Sequence, residues 1–307
     1  MKSQETISKA NTSPHASTTS IKNILRSIVV LFKLRVVILL VLSSFGGALI
    51  ASNGKVSLSA LGLLLGTGIL SSAGASAINQ YLERSSDALM RRTLNRPLAA
   101  GIISNPKAIL GIASGFIAIA IGLALLFGNP ALAFFLALGA AIYIGIYTVW
   151  LKPRTLLNIV IGGAAGSCAV LSGSAAAGNW AEPGAITLAL LVFIWTPTHF
   201  WSLAMAFRDD YSRAGVPMLP TVVSAQATAW WIALHTGATS LIALLLAFHP
   251  QLGLTYLIPI TVATLWMASH SIRLITHPDQ KQAFKVFKIS NMYLGLVLVS
   301  IYIGTLI

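Results

Sequence analysis

About nine stretches of this 307-residue chain run for roughly 20 residues with almost no charge, and that pattern restricts the fold more than anything else in the sequence. They lie at about 28–50, 58–81, 108–127, 131–150, 156–177, 185–207, 227–248, 252–272 and 286–307. A run of that length in hydrocarbon must satisfy its own backbone polar groups, which selects helices. Only 9% of the residues are charged and 56% are apolar, so no polar surface is available to clothe a soluble domain of this size. The expected fold is all-α: a polytopic membrane protein of about nine transmembrane helices around a central cavity, with cap loops on the cytoplasmic side. Many Gly, Ala, Ser and Thr residues within the runs allow close helix packing.

The net charge of +13 orients the chain and is no sign of nucleic-acid binding. Of the 20 basic residues, only Lys55 falls in a loop assigned to the far side. The N-terminal segment carries Lys2, Lys9, Lys22, Arg26, Lys33 and Arg35, and the second-to-third connection carries Arg84, Arg91, Arg92, Arg96 and Lys107. The positive-inside rule therefore puts the N-terminus in the cytoplasm and, with an odd number of spans, the C-terminus opposite. The expected location is the inner (plasma) membrane of a cell, or the mitochondrial inner membrane in a eukaryote. Residues 1–22 are polar and read as a disordered tail, and 23–307 read as one transmembrane domain. Cys168 is the only cysteine, which excludes an internal disulfide and makes helix packing its expected role.

Carboxylates are the rarest informative residues. Seven occur, and four lie in two clusters at the ends of apolar runs: Asn79-x-x-x-Glu83-x-x-x-Asp87, and Asp209-Asp210 followed by Tyr211. Spacing of i, i+4, i+8 puts Asn79, Glu83 and Asp87 on one helical face. Oxygen ligands in a stripe suit Mg²⁺, which takes one or two carboxylates and shares the oxygens of a phosphorylated substrate. Arg91, Arg92 and Arg96 beside the first cluster, Arg208 and Arg213 beside the second, and Lys152 offer cations for a diphosphate. Each cluster leads into a Pro-containing basic loop, and four spans separate them, so two parallel halves would bring both to the same side. Simple interfacial ion pairing is the competing account of either cluster taken alone.

The stretches Asn79–Thr93 with Asn95-Arg96-Pro97-Leu98, and Trp195–Ala204 with Arg208-Asp209-Asp210-Tyr211 and Ala214–Pro220, resemble the two signatures of the UbiA superfamily of intramembrane prenyltransferases. His199-Phe200-Trp201 and Pro217-Met218-Leu219-Pro220 resemble its haem-modifying branch. Tyr147-Thr148 with Leu151-Lys152, Asn158–Gly163, and Lys33 with Arg35-Val36 resemble further family segments, and the likeness spans about 30–305. Ser167–Ser174 departs from the branch, which is usually proline-rich there.

The resemblance implies Mg²⁺-dependent transfer of a farnesyl group from farnesyl diphosphate to a vinyl group of haem b, with addition of water, giving haem O. Asn79, Glu83, Asp87, Asp209 and Asp210 would hold the metal. Arg91, Arg92, Arg96, Lys152, Arg208 and Arg213 would hold the diphosphate, and Tyr211 is a further binding candidate. His199 has two readings. On its residues alone it packs helices; the resemblance gives it an active-site place, ligating haem or relaying a proton. Expected partners are the lipid bilayer, farnesyl diphosphate, haem b and a haem A synthase or terminal oxidase assembly. The alternatives are prenylation of a quinone precursor or chlorophyll-type tetrapyrrole and, from another class, anion transport.

Overall fold

The computed structural model describes residues 21–307, apart from the side chain of Lys22. The expectation for the tail therefore lies mostly outside the described residues. Ile21 and Lys22, assigned to it above, open a helix instead: α1, Ile21–Leu31. Nine membrane-length helical segments follow. They are α2 (Leu34–Ala51), α3 (Leu58–Asp87), α4 (Pro106–Leu126), α5 (Pro130–Ala141) running into a π-helical segment (Ile142–Leu151), α6 (Asn158–Gly162) with α7 (Ala164–Ala176), α8 (Pro183–Ala206), α11 (Ala225–Leu246), α12 (Gly253–Thr276) and α13 (Gln280–Leu306). Two short helices, α9 (Arg208–Arg213) and α10 (Leu219–Val222), lie between α8 and α11. The chain is a multi-pass membrane protein.

Helix starts follow local chemistry. Asn105-Pro106, Asn129-Pro130 and Glu182-Pro183 each pair a capping side chain with a proline at the first helical position, where no N–H is needed. Ser57, Ser224 and Asp279 cap α3, α11 and α13 through side-chain oxygens without a following proline. The first span differs from the sequence expectation. It begins at Leu34 and not near 28, because the chain breaks at Lys33, whose backbone is left-handed (φ 48°, ψ 46°). The last span is longer than expected and starts at Gln280.

Successive spans pack side by side, and α13 closes the circuit against α2. Within it α2 lies on α7 and α8 on α13. Small residues permit the α2–α7 contact. A methyl group at Gly173 would overlap the Ser44 carbonyl oxygen, and one at Gly47 would overlap that of Val170. The segment Ser167–Ser174 is largely committed to packing on α2 and on α8: Ser167 donates to Ala189 O of α8 at 2.8 Å, and Cys168, Val170, Ser172, Gly173 and Ser174 are buried. Gly173→Ala should lower stability by about 1–3 kcal/mol by forcing two backbones apart. Gly62→Ala, where nothing lies within 4 Å of the added methyl, should leave stability unchanged or raise it slightly. Thermal unfolding of the two variants in detergent makes the comparison.

The connections after α3 and α8 are ordered. Met90, Tyr211, Val216, Met218 and Leu219 are buried together with Trp201 and Met205 of α8 in one apolar cluster. Leu98 is also buried, in a neighbouring cluster, whereas Ile102 is 63% exposed and does not take part. These caps lie over the end of the bundle where both carboxylate clusters sit.

Candidate active site

The i, i+4, i+8 spacing does what helical geometry requires. Asn79, Glu83 and Asp87 all fall on α3, and all three are buried. Each is met by a cation from another part of the chain. Lys33 Nζ donates to Asn79 Oδ1 at 2.5 Å and to the Tyr143 hydroxyl at 3.1 Å. Lys152 Nζ stands 2.5 Å from Glu83 Oε1, and Arg96 donates to Asp87 Oδ2 at 2.6 Å. Asn79 Nδ2 donates to Thr148 Oγ1 at 3.0 Å, which ties α3 to the π-helical segment.

That segment arranges its side of the site. Tyr143 and Tyr147 stack nearly parallel, with ring centroids 5.8 Å apart at 9°. Lys152 follows five residues later and lies over the Tyr147 ring at 5.6 Å. In a π-helix, residues four and five apart share a face, so Tyr143, Tyr147, Thr148 and Lys152 all turn toward α3. Such segments recur at functional sites.

The second cluster joins the first across the caps. The Arg92 backbone N–H donates to Asp210 Oδ2 at 3.2 Å, and its guanidinium reaches the Tyr211 hydroxyl at 3.4 Å. Arg213 bridges Asp210 Oδ1 and the Leu89 carbonyl, each at 3.2 Å. Asp210 and Tyr211 are buried. Asp209, Arg91 and Arg208 are exposed and make no side-chain hydrogen bond or ion pair among the described residues. Asp209 and Asp210, adjacent in sequence, thus differ in burial, because neighbours on a helix point about 100° apart.

Sequence reasoning noticed Lys33 as a motif residue but gave it no role. Its signal is a lone lysine just before an apolar run. Burial, and then the Arg96 guanidinium, pull its amine down to about 7. A lysine held low partly by neighbouring cations marks a field that an anion would neutralise.

His199 sits elsewhere. It stacks on Trp195 at 4.4 Å and packs against Phe287 at 4.5 Å, at the α8–α13 contact. Its Nδ1 is 2.9 Å from Ser290 Oγ, and that hydroxyl donates to Phe287 O at 2.8 Å. Nδ1 therefore carries the proton and donates to Ser290, which leaves the Nε2 lone pair free. Ten residues and the end of α8 separate His199 from Asp209.

Among the described residues, no three His, Cys, Asp or Glu side chains converge on one point. The donors present are oxygens spread over α3 and α9, each beside a cation. That fits a hard ion which keeps waters and shares substrate oxygens, and it does not fit a closed all-protein cage.

Residues 40–295 match the model of the UbiA prenyltransferase family. The chain belongs to that family. Among similar UbiA relatives, the protoheme IX farnesyltransferase of Metallosphaera sedula is 40% identical over 90% of this chain and 95% of its own length. That of Saccharolobus islandicus (strain L.S.2.15) is 41% identical over 94% of this chain and 100% of its own. Among solved structures, one of a digeranylgeranylglyceryl phosphate synthase superposes with a TM-score of 0.76 at 18% identity, covering 92% of this chain and 98% of that one. A UbiA homologue from Archaeoglobus fulgidus bound to GPP and Mg²⁺ superposes with a TM-score of 0.63 at 15% identity, covering 90% and 99%. The all-helical fold is that of UbiA proteins, and the chain is a prenyltransferase.

Proposed function

We propose that this prenyltransferase moves the farnesyl group of farnesyl diphosphate onto a vinyl group of haem b, in a Mg²⁺-dependent reaction that adds water and yields haem O. The observation that carries the reading is the junction of the two carboxylate clusters through Arg92 and Asp210, with Lys33, Arg96, Lys152 and Arg213 around it. The farnesyltransferase relatives support the acceptor and donor, and the A. fulgidus homologue supports a metal-bound diphosphate. The basic end of the bundle faces the cytoplasm in this account, in line with the positive-inside rule.

Asn79, Glu83, Asp87 and Asp210 would hold the metal; Asp209 would stay in solvent. Bound Mg²⁺ supplies Lewis-acid charge at the diphosphate oxygens. The protein's own cations do the rest. Lys152 and Arg96 begin paired with Glu83 and Asp87, and Lys33 is hydrogen-bonded to the neutral Asn79 amide; a diphosphate arriving between the clusters offers all three a multiply charged partner. As the allylic C1–O bond breaks, its electron pair goes to the diphosphate, and these fixed cations stabilise the growing charge. C1 is left cationic and is attacked by the vinyl carbon; water then adds to the resulting cation and loses a proton. Apolar helices exclude water from the prenyl chain until that step. His199, with Nε2 free, is the proposed contact to the acceptor, and the apolar stack around it suits a flat ring. Tyr211 is proposed to line the diphosphate side through its bond to Arg92.

Purified protein given farnesyl diphosphate, haem b and Mg²⁺ should form a hydroxyethylfarnesyl haem detectable by mass spectrometry, and a chelator should abolish it. A prenylated quinone precursor formed in a parallel incubation, with no modified haem, would overturn the acceptor. Asp210→Ala should reduce turnover at least tenfold more than Asp209→Ala, since only Asp210 faces the first cluster. Equal losses would remove the distinction drawn from burial.

A further inference from the structure

Helix α1 belongs to no span and is covered by almost nothing. Its sequence, Ile21-Lys22-Asn23-Ile24-Leu25-Arg26-Ser27-Ile28-Val29-Val30-Leu31, divides in two at 100° per residue, with Val30 the one apolar residue on the polar side. Ile21, Ile24, Leu25, Ile28, Val29 and Leu31 form one continuous arc, and Lys22, Asn23, Arg26 and Ser27 lie on the other. Of that apolar arc only Leu31 is buried; Ile21 is 76% exposed and Leu25 57%. The helix touches the rest of the protein at its C-terminal end, then breaks at Lys33 directly into a membrane span.

We propose that α1 lies in the membrane–water interface, with its apolar arc in the leaflet on the basic side of the protein. Continuity with α2 places the helix at the level where hydrocarbon meets headgroups. The polar arc carries Arg26 and no acidic residue, a charge that complements anionic headgroups. A buried apolar arc with a basic opposite face is the ordinary signature of an in-plane helix.

Spin labels placed singly at Ile24, Ile28, Asn23 and Ser27 test this in the full chain, one copy per nanodisc, in bilayers containing phosphatidylglycerol. Labels at Ile24 and Ile28 should collide with oxygen and be shielded from an aqueous nickel chelate; those at Asn23 and Ser27 should show the reverse. Chelate access at Ile24 and Ile28 would overturn the placement. So would shielding of both from oxygen and chelate alike, which marks protein contact.

A separate observation concerns Gln80, and it rests on the function proposed above. Ending a helix at a membrane surface frees its last carbonyls. Gln80, buried on α3, donates through Nε2 to Val30 O at 2.6 Å and Leu31 O at 2.9 Å. Its neighbour Asn79 receives the Lys33 ammonium. The geometry points to Gln80 as the positioning residue for Lys33: by taking the carbonyls freed at the α1–α2 break, it stabilises the turn that sends Lys33 into the site.

A double-mutant cycle tests it in steady-state kinetics with farnesyl diphosphate. Lys33→Ala and Gln80→Leu should each lower kcat/KM about tenfold, and the double variant should fall no further than Lys33→Ala alone. Gln80→Glu keeps the shape but removes the donor, and serves if Gln80→Leu does not insert. Additive losses, or wild-type kinetics in both Gln80 variants, would overturn the coupling. Absence of farnesyl transfer by the wild-type protein would instead overturn the proposed function, so the two failures are distinct.

Discussion

Asp87→Ala should lower farnesyl transfer by about 10³-fold while leaving membrane insertion intact. Asp87 lies at the last turn of α3, buried, and holds Arg96 at 2.6 Å. Its removal takes away one proposed oxygen ligand and releases the guanidinium that it holds. Both losses fall on stabilisation of the departing diphosphate, where charge develops, so kcat should drop more than KM rises. Single-turnover assays on folded protein measure this directly. A loss of less than tenfold would mean that Asp87 serves only to fasten Arg96 as a structural pair.

Lys152→Met should cost the protein about 3–5 kcal/mol of stability as well as most of its activity. Glu83 is largely buried and its partner is Lys152 at 2.5 Å. Without the ammonium, a carboxylate stays in a poorly solvated place with no hydrogen-bonded counter-charge, Lys33 and Arg96 acting on it only from farther away. Adding Glu83→Gln removes that charge, so the double variant should regain most of the lost stability. It should not regain activity, because both the proposed metal ligand and the proposed diphosphate contact are gone. Thermal unfolding and turnover on the same preparations separate the two effects. Recovery of activity together with stability would show that the pair is scaffolding and takes no part in catalysis.

Much of the fold was legible because the bilayer leaves so few solutions. Apolar run length placed the spans, although the first begins at 34 and not 28 and the last at 280 and not 286. The stripe Asn79, Glu83, Asp87 was legible because helical spacing is fixed by geometry. Three features were not. The break at Lys33 depends on Gln80, some fifty residues away, satisfying carbonyls that would otherwise favour a continuous helix. The π-helical turn at Ile142–Leu151 has no compositional mark, since apolar residues and tyrosines suit an α-helix equally well. Which of Asp209 and Asp210 faces inward is decided by the rotation of α9, and that rotation is set by Tyr211, Val216 and Met218 packing into the cap.

The resemblance at the carboxylate signatures and the geometry agree on one arrangement, in which cations from four separate segments converge on side chains of α3 and α9. The segment Ser167–Ser174, where the sequence leaves the usual pattern, is mostly spent on contact with α2 and α8, which accounts for small residues in place of prolines.

The most direct measurement is the binding of a non-reactive thiolo analogue of farnesyl diphosphate, with Mg²⁺, to the wild-type protein, Asp87→Ala and Asp210→Ala by calorimetry. One analogue should bind per chain, and each substitution should weaken it by at least tenfold, because one diphosphate touches both clusters. Full affinity in Asp210→Ala beside a loss in Asp87→Ala, or two analogues per chain, would contradict a shared site.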